Sequence, residues 1–328
     1  MKELIQAFPQ NIIDALSIGA KATITPMQNT IHNITICGMG GSGIGGKIVA
    51  QWMVNEINVP VTILNDYTLP AYVNDHSLII ASSYSGNTEE TLNAVYNAHE
   101  KGATIIGISS GGELVNFCHQ HHFDCIIVPG GNPPRSALAF SIVQLTTIFV
   151  RLGMASTHRL DELKKGYDLI VAESELIHTE AKKLAAFLNG KVGVLYSGPE
   201  YEAVATRARQ QFNENSKYLM WHHFIPEMNH NELVGWGGGD DRFAPVFIYT
   251  EDMDPRNKLR YNITKSQIES KVSSAFEITA KGNSQIERSI YLINLVDWSS
   301  WYLAEMKKVD AMDISVIDYL KEELSKFN

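Results

Sequence analysis

The sequence predicts an α/β protein built from two doubly wound units, each a mainly parallel sheet flanked by helices. Three observations carry that prediction. Short apolar runs alternate with helical patterns, the grammar of a parallel sheet covered on both faces. The alternation runs through the first half of the chain, is interrupted by helical segments, and then restarts with a second strand, glycine turn and helix. A length of 328 residues with a 45% hydrophobic fraction fills two cores, each in a domain of about 150 residues.

The elements follow in order. After a helical N-terminal segment, strands are expected at 34–37, 61–64, 78–82, 104–108 and 125–128, separated by helical patterns. The first strand runs into GMGGSGIGG at 38–46, and an amphipathic helix is expected from near Ile44. An apolar helix at 137–152 and a polar helix at 158–188 lead to a new strand at 192–196. Its turn and helix lie in VLYSGPEYEAVATRARQQF, followed by strands at 246–249 and 275–279 and helices at 284–307 and 314–326, while GWGGGDDR at 235–242 reads as a loop. The division between domains is expected at 155/156, giving 1–155 and 156–328.

The most informative segment is SYSGNT at 83–88, directly after the apolar run 78–81. Ser83, Ser85 and Thr88 offer hydroxyls, Gly86 lets the backbone turn closely, and the helix opening at 89–92 presents unpaired amides that favour an anion. The pattern fits an uncharged cradle for a phosphorylated small molecule. A second loop, at 38–46, carries Gly41 and Ser42. Gly38, Gly40 and Gly43 also satisfy the dinucleotide GxGxxG spacing, and Asp66, just after the strand 61–64, stands about 20 residues on, where a ribose-binding acid is expected. Either loop alone is compatible with an ordinary βα turn. Two of them at adjacent strand ends converge on one ligand in the crevice beyond the strand carboxyl ends, and a nicotinamide fold has no need of the second, hydroxyl-rich one. The first turn of the second cycle has lost most of its hydroxyls, so the repeat reads as a duplication in which only the first copy keeps the phosphate loops.

Composition narrows the class further. A net charge of -9 with no Lys/Arg block argues against a nucleic-acid surface. The N-terminal MKELIQAFPQ lacks an apolar leader core, and no stretch approaches the ~20 apolar residues of a membrane span, so a cytoplasmic enzyme with no membrane partner is expected. Cys37, Cys118 and Cys125 give no disulfide framework. Cys118, His119, His121, His122 and Cys125 lie close in sequence, but their spacing matches no structural zinc pattern, and a helix ending before the strand 125–128 accounts for them.

The SxSGxT loop preceded by a GGSG turn resembles the sugar isomerase, or SIS, domain. PPRSAL at 133–138, FNENSK at 212–217 and EMNHNELVGW at 227–236 narrow the resemblance to the bifunctional phosphoglucose/phosphomannose isomerase family, over nearly the whole chain from Gly38 to the C-terminal helix. It implies two SIS subdomains, no metal and no organic cofactor. It also implies a phosphate site at Gly41, Ser42, Ser83, Ser85 and Thr88, and interconversion of glucose 6-phosphate, fructose 6-phosphate and mannose 6-phosphate in glycolysis and gluconeogenesis.

An aldose–ketose isomerase needs a base to move a proton between C2 and C1, a group to open the sugar ring, and a positive charge near the enediolate. By resemblance Glu214 in NEN is the base; without the motif it reads as a solvated glutamate at a helix end. His230 in MNHNE is the ring opener, since imidazole transfers protons near neutrality, and Asn229, Asn231 and Glu232 are placed to fix its tautomer. In the family this histidine comes from the neighbouring subunit, which implies a homodimer with shared active sites. Arg135, after two prolines that pre-order the loop, is similar to the arginine that stabilises enediolate charge. Lys321 in IDYLKEEL falls where the family carries a lysine that assists ring opening, and it equally reads as part of the solvated face of an amphipathic helix. The family often has a threonine upstream of that lysine; here Ser315 is the only hydroxyl between Ala311 and Asp318. Trp298, Trp301, Tyr302 and Met306 have the spacing of a core or dimer-contact stripe, and Trp221, His222 and His223 that of a strand or turn.

Two other classes stay open at this point. A non-catalytic sugar-phosphate sensor keeps Ser42, Ser83, Ser85 and Thr88 and loses the base and ring opener. A nicotinamide-dependent oxidoreductase uses the glycine turn alone.

Overall fold

The computed structural model describes residues 1–326. The chain packs as two compact units. The first-sheet unit comprises Gln6–Ala172 and Gly282–Tyr291; the second-sheet unit comprises Met1–Ile5, Glu173–Lys281 and the described residues from Leu292 onward.

In the first-sheet unit, β1 (Asn33–Cys37), β2 (Val61–Leu64), β3 (Ser77–Ser82), β4 (Thr104–Ser109) and β5 (Asp124–Ile127) form a parallel sheet in the order β2-β1-β3-β4-β5. β3 is buried along its whole length, as the centre of a sheet covered on both faces requires. Alternate residues Cys37, Ile79, Ala81 and Ile105 face the helices Glu89–Glu100 and Gly112–Gln120 through Ala94, Val95, Leu114 and Phe117. The opposite face, with Ile36, receives the helix Gly40–Trp52. Leu138–Arg151 is buried nearly all round, the mark of an interior helix; Gln144 Nε2 donates to the Ala15 carbonyl at 2.7 Å to fix it against Phe8–Lys21.

The helix after β1 starts at Gly40 rather than near Ile44. Its glycines belong to the helix because a side chain would not fit: a Cβ at Gly45 would lie 2.2 Å from Ser141 Oγ, and one at Gly46 2.8 Å from Ile36 Cγ2. The strand order also decides against the dinucleotide reading. β1 lies between β2 and β3, the flavodoxin-like arrangement, whereas dinucleotide folds run 3-2-1-4-5-6. Asp66, the expected ribose acid, instead accepts the Tyr67 amide at 2.7 Å in a local turn.

The single polar helix expected over 158–188 is two helices, His158–Ala172 and Ser174–Leu188. Glu173 between them leaves helical geometry, and its carboxylate takes Lys281 Nζ at 2.8 Å. His158–Ala172 packs within the first-sheet unit, where a Cβ at Gly166 would strike Ile290.

The second-sheet unit repeats the pattern. β6 (Val192–Ser197), β7 (Met220–Phe224), β8 (Phe243–Tyr249) and β9 (Phe276–Thr279) form a parallel sheet in the order β7-β6-β8-β9, so its opening strand is again flanked by the next two. β7 resolves as a strand the segment that the sequence left between strand and turn; MWHHF lacks an apolar run because it is an edge strand with only Met220 buried. Val194, Tyr196, Phe247, Tyr261 and Ile268 form this unit's core.

Gly45→Val tests the close approach. Overpacking against Ser141 costs about 1–3 kcal/mol, so thermal melting is expected to fall by several degrees; an unchanged midpoint would show that the helices tolerate separation.

Candidate active site

The reversal of strand order between β1 and β3 opens a crevice at their carboxyl ends, the usual ligand position in such sheets. Two helix N-termini converge there. Gly40–Trp52 and Glu89–Glu100 both start without a side-chain cap, so first-turn amides remain available to an anion. Gly41 and Ser42 lie in the first turn of the former helix, and a cavity beside them is lined by Ser82, Tyr84, Pro134 and Ser141. Ser42 Oγ accepts the Tyr84 amide at 3.3 Å, joining the two loops.

Within the second loop, Ser83 Oγ donates to Thr88 Oγ1 at 2.9 Å, and Ser85 Oγ accepts the Asn87 amide at 3.3 Å. Gly86 has φ +72°, and a Cβ there would sit 1.8 Å from the Gly111 carbonyl oxygen, so only glycine closes this turn. The loop is thus held from behind by the turn after β4: Ser110 Oγ donates to the Tyr84 carbonyl at 2.6 Å, and Asn87 Oδ1 accepts the Glu113 amide at 2.9 Å.

Arg135 belongs to the same unit, in the 3-10 turn Pro134–Ser136, and its side chain is buried. A Cβ at Gly41 would lie 2.6 Å from the Pro134 carbonyl oxygen and 3.3 Å from Arg135 Cα, so this turn rests directly on the start of the Gly40 helix. The turn that carries this buried arginine thus lies against the helix start through its backbone.

Glu214, His230 and Lys321 belong to the second-sheet unit. Glu214 is half-buried near the end of the helix Glu202–Ser216. That helix is anchored through buried polar groups: Arg207 Nη2 donates to Asp297 Oδ2 at 3.0 Å, Asn215 Nδ2 to Ser300 Oγ at 2.9 Å, and Ser216 Oγ to the Ser300 carbonyl at 2.6 Å. Burial raises the Asp297 carboxyl above its ordinary range, opposed by the Arg207 charge.

His230 ends a 3-10 turn and is exposed. The expectation that its polar neighbours fix its tautomer is corrected, because all three are engaged elsewhere. Asn229 Nδ2 donates to Thr264 Oγ1 at 2.6 Å and Asn231 Nδ2 to Glu227 Oε1 at 3.1 Å. Glu232 accepts from Tyr196 Oη and from Trp221 Nε1, and faces His223 Nδ1 at 3.1 Å. The loop 235–242 is also more than a connection, since Gly235, Trp236, Gly238 and Gly239 line a cavity with Trp221 and Phe243. Lys321 is exposed on Ser315–Leu324, a helix that buries none of its residues.

The equivalent crevice of the second sheet, after β6 and β8, is acidic. Tyr201 Oη donates to Asp252 Oδ2 at 2.7 Å, and burial, with the carboxylates of Asp252 and Asp254, pushes the Glu200 carboxyl up. A phosphate would be repelled there.

Comparison with known proteins agrees with this geometry. Residues 29–152 match the SIS domain family and residues 177–324 the bacterial phospho-glucose isomerase C-terminal SIS domain. The chain is 36% identical over 340 aligned residues to a bifunctional phosphoglucose/phosphomannose isomerase of Caldicellulosiruptor bescii, covering 99% of each protein. The chain belongs to the bifunctional phosphoglucose/phosphomannose isomerase family. A second member, from Aquifex aeolicus, is 35% identical over 89% of this chain and 90% of its own. The fold extends to more distant proteins: the C-terminal domain of glucosamine-fructose-6-phosphate aminotransferase from Francisella tularensis superposes with a TM-score of 0.78 at 16% identity, covering 95% of this chain and 97% of that one.

For a member of this isomerase family, sequence reading singled out the hydroxyls of the candidate cradle and passed over the groups around them, Ser82 and Tyr84 lining the cavity and Ser110 behind the loop. The glycine pair Gly111 and Gly112 after β4 was the available signal. Cys118 and Cys125 bring their thiols together over Gly107, while His121 stacks near His99 and Phe117; among the described residues no three metal-ligating side chains cluster. Trp298 is buried against Trp301 and Tyr302, and Met306 is exposed.

Arg207→Met tests the anchor of the Glu214 helix. Removing one partner of a buried pair costs about 3–5 kcal/mol at neutral pH. Without Arg207 the folded-state pKa of Asp297 rises further above its unfolded value of 3.8. The penalty is therefore absent below that value and grows as pH rises towards the folded pKa. Chemical denaturation of the variant at several pH values is expected to show this slope; a pH-independent loss would contradict it.

Proposed function

We propose that the protein interconverts glucose 6-phosphate and fructose 6-phosphate, and mannose 6-phosphate with them, through a cis-enediol formed after ring opening. The observation that carries this reading is the paired-loop anion cradle at the β1/β3 reversal, in a chain 36% identical over its length to a bifunctional phosphoglucose/phosphomannose isomerase.

In this reading Gly41, Ser42, Ser83, Ser85 and Thr88 hold the substrate phosphate with amides and hydroxyls. His230 and Lys321 open the ring by proton transfer at the ring oxygen. Glu214 removes the proton from C2 of the aldose and delivers it to C1, and the reverse for the ketose. Arg135 balances the charge that builds on the enediolate oxygens; in a water-poor pocket such a cation lowers the barrier by several kcal/mol. This cation–base division needs no metal or organic cofactor. The exposed apolar residues of Ser315–Leu324, with Val316 at 80% and Tyr319 at 64% exposure, together with the exposed His230, support a homodimer that shares its active sites. No described helix is long and apolar enough to cross a membrane. Exchange of these hexose phosphates in the cytoplasm, between glycolysis and gluconeogenesis, is the role that fits. Ser315, at the start of the last helix, is the only hydroxyl between Ala311 and Asp318, upstream of Lys321 where the family often has a threonine.

The test is turnover of fructose 6-phosphate with glucose 6-phosphate and mannose 6-phosphate measured separately, a chelator present, and Glu214→Gln alongside. Both products are expected from the parent despite the chelator, with kcat in the variant lower by roughly 10²–10⁴-fold. Binding without turnover would favour a sugar-phosphate sensor, and loss of activity in chelator would contradict the metal-free mechanism.

A further inference from the structure

One side chain sits where the helix carrying Glu214 and the segment leading to Lys321 meet. Lys217, the C-cap of Glu202–Ser216, adopts φ +48° and ψ +48°, the left-handed region in which glycine is favoured and a lysine is strained. Its ammonium has three protons to donate. It reaches the Glu214 carbonyl at 2.8 Å, the Asp310 carbonyl at 2.6 Å and the Asp313 carbonyl at 2.8 Å. The first is a carbonyl of the last helical turn, where such groups call for a donor from outside the helix ladder. The other two lie in the segment between Gln285–Lys307 and Ser315–Leu324.

The surrounding contacts make this a junction. Lys307 Nζ donates to the carbonyl of Lys217 itself at 2.8 Å. Asp313 Oδ1 accepts the Ser315 amide at 2.9 Å and so caps the last helix, and hydrogen bonding to Ser315, aided by the Lys217 charge, lowers the Asp313 carboxyl below its ordinary range. The helix that follows buries no residue of its own. Its attachment within this unit therefore depends on the turn before it more than on packing.

We propose that Lys217 is a positioning residue for the isomerase reaction: its ammonium clamps the carbonyls of Glu214, Asp310 and Asp313, setting the base-carrying helix end and the Lys321 helix in one fixed arrangement. This rests on the isomerase reading. Lys217 touches neither substrate nor reacting atoms in it; it acts through the two residues that do. Catalytic groups must be held within a fraction of an ångström, and a misplacement of about 1 Å costs on the order of 10²-fold in rate. The clamp also accounts for a lysine at a position whose backbone prefers glycine.

That preference supplies the test. Lys217→Gly relieves the left-handed backbone while deleting the clamp, so the fold is expected to survive with its melting temperature held. Lys308→Gly is the matched control: Lys308, at φ +55°, ends the neighbouring helix with an exposed side chain outside the clamp. Amide hydrogen exchange and steady-state kinetics on fructose 6-phosphate are measured for both. In Lys217→Gly, exchange over 308–324 is expected to speed by at least tenfold and kcat to fall by roughly 10–100-fold. KM is expected to move by less than about threefold, because the phosphate cradle lies elsewhere; Lys308→Gly changes neither readout. Unchanged protection over 308–324, or unchanged kcat in an active parent, overturns the positioning role and leaves the isomerase reading standing. A parent that neither binds nor turns over fructose 6-phosphate overturns the isomerase reading itself.

Discussion

Everything at the candidate site depends on how closely the helix Gly40–Trp52 approaches its surroundings. A Cβ at Gly41 would meet the Pro134 carbonyl, one at Gly45 would meet Ser141, and one at Gly46 would meet Ile36. With hydrogen in those places, the helix lies against β1 on one side and Leu138–Arg151 on another. Its N-terminal amides come to the strand end where the sheet reverses direction. The Pro134–Ser136 turn then brings the buried Arg135 against the same helix start. In the proposed reading, affinity for an anion comes from uncapped amides, hydroxyls and Arg135, in a protein whose net charge is -9.

The two sheets share a strand order about their opening strand and differ in what the reversal holds. In the first, Ser42, Ser83, Ser85 and Thr88 surround the crevice. In the second, Glu200, Asp252 and Asp254 take the corresponding strand ends and disfavour a phosphate. The second unit contributes instead the half-buried Glu214 and the exposed His230 and Lys321. In the proposed mechanism, duplication followed by divergence leaves substrate anchorage in one copy and proton transfer in the other.

Much of this was legible in the sequence, for physical reasons. β1, β3 and β4 are buried on both faces and read as short, mainly apolar runs, and the SYSGNT loop declares its hydroxyls and its turn glycine within six residues. β7 stayed open between strand and turn because MWHHF is an edge strand whose polar side chains find partners in three dimensions: Glu202 and Thr206 for His222, and Glu232 for Trp221 and His223. The helix break at Glu173 escaped notice because no glycine or proline marks it in sequence, and the Lys281 that pairs with Glu173 lies far along the chain. The environment of His230 was misread for a related reason. Asn229, Asn231 and Glu232 are its neighbours in sequence, yet a 3-10 turn sends each to a different partner. Lys217 was passed over because a lysine after a helix is ordinary in sequence and unusual only in its φ.

The most direct test of the central claim is to follow backbone amide signals by NMR while titrating first inorganic phosphate and then fructose 6-phosphate. Shifts are predicted at 38–43 and 83–91 with both ligands, because the anion is held by amides at the β1 and β3 ends. Shifts confined to the loops after β6 and β8, or none at the first pair, would contradict a phosphate cradle at the β1/β3 reversal.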